Sequence, residues 1–511
     1  MELYTHTPEA MVPRAVHGRA SSWLIAGIVA MIALLPRVIG NADFYTIDEA
    51  YHWEGRVARF AAALSQTDWA ATNQTGHPGV TTMWLGALGR EIALQVGIPA
   101  PDPGQGALYL SYLRLPVAVV NGLAVGIGYL LLRRLVRPPV ACLAALMWAL
   151  SPFLIAHGRL LHLDGLLTSF CTLSLLALLA ATHPSGKMGG MGFGSLALLV
   201  ASGAFAGLAL LTKSPALILP PLAGLILLVA ALAPVLRQGA SAGKVGAALR
   251  MSARASIRWV IWGVTALLIF VLLWPALWVD PGGAIGSLLK EVTGNAAQPH
   301  GSGNFFFGRP VDDPGWGFYP SVVLWRGEML VLAGIGALLV LAGLDLASIA
   351  FRASAAGSDD RRPTTDDGRA GCAVETQREL PAQSTRRGAN RQAGHLIRAT
   401  SPSERWAAGW LVFYVLLFVI AVTLMPKKFD RYLLPIWPSL AVLAAIGFGA
   451  LVSGWGNSKA RITRAARSLG SLGAALGGIA LSVGPLVAAH PYYLASYNPM
   501  LGGGVLRRAY C

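Results

Sequence analysis

The sequence contains long apolar runs in which charged residues are almost absent. A helix needs about 20 mostly apolar residues to cross a bilayer. Only 13% of the 511 residues are charged and 55% are hydrophobic, whereas soluble domains carry about 25% charged residues. The sequence therefore predicts an all-α polytopic membrane protein with a bundle of about 11 transmembrane helices. The candidate spans are 22–40, 108–132, 138–157, 163–182, 191–212, 214–236, 259–279, 321–350, 406–426, 432–453 and 469–490.

The positive charge of the chain is explained by membrane topology. The formal net charge is +16, but the excess lies in short segments between apolar runs, as expected of cytoplasmic loops. This favours topology over nucleic-acid binding. Alternation from a cytoplasmic N-terminus places these basic residues inside: Arg14, Arg19, Arg133, Arg134, Arg137, Lys187, Arg237, Lys244, Arg250, Arg254, Arg258, Lys459, Arg461, Arg464 and Arg467. The scheme requires 80–98 to be interfacial or re-entrant, and the first apolar run is read as an uncleaved signal anchor.

This topology divides the chain into four parts. Residues 1–350 are predicted to form an N-terminal transmembrane bundle with outer loops 41–107 and 280–320, and 406–490 to contribute the C-terminal helices. Residues 351–405 are polar and almost free of aromatic residues, which is typical of a disordered cytoplasmic linker, and 491–511 form a short outer tail. In the first outer loop, 50–64 has apolar residues at helical spacing. This pattern fits an interfacial amphipathic helix or a loop helix packed on the bundle.

An acidic pair follows the first span. Asp48 and Glu49, in YTIDEAYHW, are adjacent carboxylates that repel each other and raise the pKa of one of them unless a cation or substrate compensates. The structural explanation is that Asp48 caps the next helix while Glu49 complements its dipole. The functional explanation is catalysis at the membrane surface.

A second polar group lies in a very short turn between two apolar spans. The turn HGRLLHLDG contains His157, Arg159, His162 and Asp164. An Arg159–Asp164 ion pair that closes the turn would explain two of them structurally. Asp164, at the mouth of a span, is the hardest to explain, since charges near a bilayer are costly and usually functional.

Basic residues on the predicted outer side oppose the positive-inside trend. They are Lys213, in LLTKSP, and the cluster Lys427, Lys428 and Arg431, in MPKKFDRYLLP. Snorkelling at a helix end would account for Lys213 alone. Binding of a phosphate at the membrane surface would account for all four residues.

Carboxylates and cations at one face of a membrane suit a specific chemistry, the transfer of a sugar from a lipid-linked phosphate to an acceptor hydroxyl. A carboxylate would act as general base on the hydroxyl, and cations would stabilise the charge on the departing phosphate. The hypothesis requires Asp48, Asp164 and Arg431 to converge on one outer cavity.

Five motifs resemble one family in their order and spacing. YTIDEAYHW, GHPGVTTMW (76–84), HGRLLHLDG, KFDRYLLPIWPSL (428–440) and HPYYLASYNPMLGGG (490–504) resemble the family-39-type glycosyltransferases, which include protein O-mannosyltransferases and aminoarabinose transferases. The resemblance implies a GT-C-like bundle with interfacial helices in its outer loop and an inverting transferase that uses a polyprenyl-phosphate sugar. It covers 22–504 without 351–405.

The resemblance also implies roles for individual residues. Asp48, Glu49 and Asp164 would be catalytic, Arg431, Lys428, Lys427 and Lys213 would bind the donor phosphate, and His77, Arg159 and His162 would belong to substrate loops. No metal or other cofactor is expected, although an Asp-Glu pair is able to recruit a divalent cation. The expected partners are the lipid donor, a lipid, glycan or protein acceptor, and the bilayer of the plasma membrane.

Two other classes of protein remain alternatives. A transporter or flippase of a lipid-linked or anionic substrate would place its charges near the membrane midplane and often has internal repeats, whereas here the charges gather at one face. A lipid-glycan ligase would use a diphosphate-linked oligosaccharide. Bacterial relatives commonly continue beyond the last motif, so we expect either that the further domain is absent or that the sequence is truncated after Cys511.

Overall fold

The chain forms a multi-pass helical bundle, as predicted. The computed structural model describes residues 14–102, 106–183, 192–237, 244–295, 304–359, 396, 399–456 and 483–501. Within these ranges nine helices are long and apolar enough to cross a membrane, or ten with one bent pair. The nine spans are Ala20–Val38, Ala107–Leu135, Leu163–Ala181, Phe193–Thr212, Ser214–Leu236, Val245–Leu272, Met329–Ala350, Pro402–Thr423 and Asp430–Ser453.

The helices and strands have the following bounds. They are α1 Arg14–Val38, α2 Glu54–Ser65, α3 Val80–Gln95, α4 Ala107–Leu135, α5 Pro138–Leu150, α6 Pro152–Gly158, α7 Leu163–Ala181, α8 Phe193–Thr212, α9 Leu219–Arg237, α10 Lys244–Leu272, α11 Ala276–Val279, α12 Pro281–Asn295, β1 Asn304–Phe306, β2 Arg309–Val311, α13 Phe318–Arg326, α14 Met329–Asp359, α15 Pro402–Thr423 and α16 Trp437–Gly456. The strands form an antiparallel hairpin in which Phe306 pairs with Arg309.

Three predicted spans are broken in the structure. The span expected at 259–279 is interrupted between Leu272, where α10 ends, and Ala276, where α11 begins. The span expected at 138–157 bends by 59° between α5 and α6, because Pro152 cannot continue the hydrogen-bond ladder and Ser151 caps the new helix by accepting from the Leu154 N–H. The span expected at 321–350 is split at Gly327, whose backbone is extended. Its second part, α14, runs to Asp359, beyond the boundary expected at 350.

Two other predictions concern residues outside the described ranges. Most of the span expected at 469–490 lies in 457–482, and most of the linker expected at 351–405 lies in 360–395. These two predictions therefore stay predictions. Helix α3 has 16 residues and is not among the candidate spans found in the described ranges, and its interfacial or re-entrant placement stays a prediction.

The helix predicted at 50–64 packs on the bundle. It consists of a π-helical turn, Glu49–Trp53, followed directly by α2. Trp53, Val57 and Phe60 are at most 2% exposed, and α2 packs along α3. The apolar face of this helix is therefore covered by protein, which favours the loop-helix interpretation.

Helix α7 is the centre of the bundle. It is apolar nearly all round, a pattern typical of a helix surrounded by protein, and 94% of its spanning window is buried. It packs against α4, α8 and the 3₁₀ turn Asp430–Ile436. Asp164 lies in its first turn, so the most buried of the nine candidate spans begins with a carboxylate.

Candidate active site

Asp48 directs its carboxylate toward two basic side chains. Its Oδ2 lies 2.9 Å from Arg431 Nη1 and 3.4 Å from His162 Nε2. The backbone of Asp48 is helical and its side chain makes no capping hydrogen bond. The helix-cap explanation therefore does not apply to this residue, and its carboxylate is available to the site.

Asp164 has three basic neighbours. Its Oδ1 lies 2.7 Å from Lys213 Nζ, and its Oδ2 lies 3.2 Å from His162 Nδ1 and 3.6 Å from Arg431 Nε. The Arg159–Asp164 pair weighed from the sequence is replaced by a pair with Lys213. Lys213 reaches Asp164 because it is the extended residue between α8 and the next 3₁₀ turn.

The structure thus brings five ionisable side chains into one cluster. We call Asp48, His162, Asp164, Lys213 and Arg431 the charged cluster. Its two carboxylates face a lysine, an arginine and a histidine that joins both acids through its two ring nitrogens. With His162 protonated, the cluster carries one net positive charge, which matches the single negative charge of a phosphodiester.

The pKa values in the cluster reflect these contacts. The hydrogen bond from His162 and the charge of Arg431 hold the pKa of Asp48 well below its usual range, against the effect of burial. Burial lowers the pKa of His162, but its hydrogen bonds with Asp164 and Asp48 more than offset this, and the pKa is raised. Burial lowers the pKa of Lys213 despite the adjacent Asp164. Because its pKa is lowered, the Asp48 carboxylate is ionised at neutral pH.

The charged cluster borders a cleft of about 240 Å³. Lys427 and Arg56 bring two further positive charges to this cleft. Phe429 and Tyr432 add aromatic surface beside them. The cleft is lined by Asp48, His52, Trp53, Arg56, His77, His162, Leu163, Lys213, Lys427, Phe429, Arg431 and Tyr432.

Sequence reasoning missed Arg56 and His52 in this cleft. Arg56 is three residues beyond Trp53, over whose ring its guanidinium lies at 5.0 Å. The spacing of Arg56 and Trp53 in the sequence could have indicated this position, because residues three or four apart share a helix face. Asp48 has helical backbone and His52 follows it by four residues, so His52 lies on the same side as the Asp48 carboxylate.

Glu49 does not belong to the cleft, although the sequence grouped it with Asp48. Its side chain is fully buried and forms a bidentate pair with Arg114, with Nε to Oε1 at 2.7 Å and Nη2 to Oε2 at 2.5 Å. It also accepts hydrogen bonds from the Leu161 N–H and the Thr46 hydroxyl. The predicted catalytic role is therefore corrected to a structural one. The two acids diverge, so they do not form a joint site for a divalent cation.

We expect Glu49→Gln to reduce stability rather than catalysis. The substitution leaves Arg114 buried without its counter-charge, and breaking a buried ion pair costs roughly 3 kcal/mol. Thermal unfolding in detergent measures the effect, and turnover per folded molecule should stay within about threefold of wild type. The control is Glu91→Gln, because the exposed Arg90–Glu91 pair contributes at most about 1 kcal/mol. Normal stability with abolished turnover in Glu49→Gln would restore the catalytic assignment.

Arg159 is also structural. It is fully buried, and its guanidinium donates to the carbonyls of Ile39 at 2.8 Å and Pro491 at 3.2 Å. It lies against the rings of Phe44 and Tyr493. It therefore ties the end of α1 to the segment 490–501 and does not line the cleft, contrary to the substrate-loop prediction.

The adjacent lysines 427 and 428 have different surroundings. Lys427 lines the cleft. Lys428 is 2% exposed and donates from Nζ to Asp313 Oδ1 at 2.6 Å and to the Met425 carbonyl at 2.8 Å. Lys428 anchors the loop after the hairpin, so its predicted phosphate contact is wrong for this structure.

His77 lines the cleft and connects two of the loop segments around it. Its Nε2 lies 2.8 Å from Glu291 Oε1 on α12. Burial, followed by the charge of Lys213, lowers the pKa of His77 to about 4. His77 is therefore uncharged near pH 7, and it connects the GHPG loop to the loop helix α12. Gly79 ends this loop with φ +59, and a side chain there would approach the Trp53 ring to 2.8 Å.

One family profile matches a continuous part of the chain. The profile described as "Dolichyl-phosphate-mannose-protein mannosyltransferase" matches residues 110–274. The resemblance to this family is confirmed over that segment. The segment contains Asp164, His162 and Lys213 of the charged cluster. Comparison with curated proteins finds no match.

Solved structures of three glycosyltransferases resemble the chain at low identity. The oligosaccharyltransferase AglB of Archaeoglobus fulgidus, in complex with an inhibitory peptide and a dolichol-phosphate, is 13% identical with a TM-score of 0.47, and the match covers 91% of this chain and 55% of that chain. ArnT of Cupriavidus metallidurans, bound to undecaprenyl phosphate, is 17% identical with a TM-score of 0.47, covering 94% and 68%. The S. cerevisiae Pmt1-Pmt2 complex, bound to the sugar donor, is 17% identical with a TM-score of 0.39, covering 52% and 34%. The chain thus spans about half of the AglB chain.

Proposed function

We propose that this protein transfers a sugar from a polyprenyl-phosphate donor to an acceptor hydroxyl at the outer face of the plasma membrane, with inversion at the anomeric carbon. One observation carries the proposal. An ionised carboxylate, Asp48, lies 2.9 Å from the guanidinium of Arg431 in an open cleft. A general base and a phosphate-binding cation thus lie side by side.

The chemistry follows from this pairing. Asp48 removes the proton from the acceptor hydroxyl, whose oxygen forms a bond to the anomeric carbon. The bond between that carbon and the phosphate oxygen breaks, and its electron pair leaves with the phosphate. The donor phosphodiester becomes a monoester with one more negative charge, which Arg431 and Lys427 stabilise. A single displacement inverts the anomeric centre.

Donor binding would also activate the base. Arg431 holds the pKa of Asp48 low, together with His162. When the guanidinium turns to the donor phosphate, Asp48 loses part of this stabilisation and its proton affinity rises. Lys213 is buried against Asp164, so its ammonium group is not free to donate a hydrogen bond to the phosphate. It would stabilise the phosphate through its positive charge at longer range.

The location of basic residues supports the outer placement. Helix α4 begins beside Tyr45, near Asp48, where the Gly106 N–H donates to the Tyr45 hydroxyl, and it ends with Arg133 and Arg134. Helix α10 begins at Lys244 and ends near the cleft side, where Trp84 donates to the Leu273 carbonyl. Basic helix ends opposite the cleft favour a cytoplasmic location for that end and hence a cytoplasmic N-terminus.

Reconstitution tests this function against the transporter alternative. Purified protein in liposomes receives undecaprenyl-phosphate sugars, including mannose and aminoarabinose, with lipid, glycan and peptide acceptors bearing free hydroxyls. We expect release of undecaprenyl phosphate and a glycosylated acceptor with at least one donor. Transbilayer movement of an intact lipid-linked sugar, without cleavage of its anomeric bond, would instead establish a flippase and contradict the proposal.

A further inference from the structure

Asp430 directly precedes Arg431, the proposed phosphate-binding arginine. Its carboxylate contacts the backbone of Arg431 and the side chain of Arg326. Its Oδ1 accepts from the Arg431 backbone N–H at 2.7 Å. Its Oδ2 accepts from Arg326 Nε at 2.9 Å and from Arg326 Nη2 at 2.6 Å. One carboxylate therefore links the backbone that carries Arg431 to the end of α13.

Arg326 is held in place by the segment 490–498, which lies near the end of the described chain. Its Nη1 donates to the carbonyls of Leu494 and Ser496, each at 2.8 Å. The guanidinium lies 4.0 Å from the centre of the Tyr497 ring. The segment is fastened to α13 itself, because the Asn498 N–H donates to the Trp325 carbonyl at 2.7 Å. Arg326 is thus fixed by backbone that belongs to neither the cleft nor the charged cluster.

We infer that Arg326 and Asp430 position Arg431 for the donor phosphate, so that the segment 490–498 influences phosphate affinity from outside the cleft. The inference rests on the proposed function. Arg326 and Asp430 are absent from the cleft lining, and they are positioning residues that act through Arg431.

Two physical effects support this role. Fixing the backbone of Arg431 reduces the conformational entropy that its long side chain must lose on binding a phosphate. In addition, Arg326 occupies one oxygen of Asp430 with two N–H donors. Without Arg326, the Asp430 carboxylate would be free to attract the neighbouring Arg431 guanidinium and to compete with the phosphate.

A double-mutant cycle tests the inference with undecaprenyl phosphate as the probe. Binding is measured for the full-length protein in nanodiscs. We expect Asp430→Asn to weaken binding about tenfold, as for the loss of a charge-assisted hydrogen bond. In an Arg431→Ala background, the same substitution should change affinity by less than about twofold, because residues that act through one another are not additive. In a Lys427→Ala background it should keep its full effect.

Further variants separate positioning from folding. Arg326→Lys keeps the charge but loses the two-pronged contact, and its effect should likewise vanish in the Arg431→Ala background. The matched control is Asp313→Asn, which removes a carboxylate that contacts Lys428 and should alter affinity less than about twofold. Equal losses from Asp430→Asn with and without Arg431 would overturn the inference. Failure of the wild type to bind the probe would instead contradict the proposed function.

Discussion

Replacement of Asp48 by Asn should lower kcat about 10³-fold while leaving the protein folded, since general-base catalysis contributes about 10² to 10⁴. The amide keeps the shape of the carboxylate but cannot take the proton of the acceptor hydroxyl. It also removes the negative charge that faces Arg431 Nη1 and His162 Nε2. The positive residues would then retain donor phosphate equally well or better, so affinity for undecaprenyl phosphate should not fall.

The combination of lost turnover and retained binding identifies a base. Transfer is followed by release of undecaprenyl phosphate, and binding is measured separately with undecaprenyl phosphate itself. Glu49→Gln is the matched control, because it makes the same chemical change one residue further along, at a side chain directed away from the cleft. If Asp48→Asn retained more than about one-tenth of the wild-type kcat, Asp48 would not be the base.

The behaviour of adjacent residues shows why the sequence located the site but not all its members. Asp48 and Glu49 are neighbours in helical backbone, where successive side chains point about 100° apart. One therefore meets Arg431 and the other meets Arg114. Lys427 and Lys428 also face different surroundings, although they lie in non-helical backbone before the 3₁₀ turn Asp430–Ile436. A charge cluster in the sequence predicts that a site is near, but it does not say which members face it.

The helical spans were predictable because the signal for them is local. Apolar length determines whether a segment can lie in a bilayer, and the nine spans of the described chain all overlap predicted runs, although Val245–Leu272 begins well before the run predicted at 259–279. The bend at Ser151–Pro152 was not predicted, and a proline alone does not determine such a bend, since Pro116 lies inside the continuous helix α4. The partners of Glu49, Arg159 and Lys428 were not readable, since each contact joins segments distant in sequence. An arginine inside a span, Arg114, was the one available signal for the Glu49 pair.

Replacement of Arg431 by Ala should abolish most donor binding and transfer. Like His162, Arg431 contacts both acids of the charged cluster, with Nη1 at 2.9 Å from Asp48 Oδ2 and Nε at 3.6 Å from Asp164 Oδ2. Its loss changes the cluster from net positive to neutral with His162 protonated and removes the donor nearest the base. We expect kcat/KM to fall about 10³-fold, comparable to the removal of an oxyanion-stabilising group, and affinity for undecaprenyl phosphate to fall about 100-fold.

Arg431→Lys separates charge from geometry. A lysine retains the positive charge but lacks the planar fork that reaches two acceptors at once, so a loss of about tenfold in kcat/KM is expected. The control is Arg59→Gln, which removes one charge from an exposed arginine bound to Gln74 at 2.6 Å and should change transfer by less than about twofold. Equal effects of Arg431→Ala and Arg59→Gln would mean that overall positive charge, and not the contact beside Asp48, governs the donor. The fork geometry matters because the phosphate gains its second negative charge only as the anomeric bond breaks. A guanidinium fixed beside the base can stabilise that change without first having to reorganise.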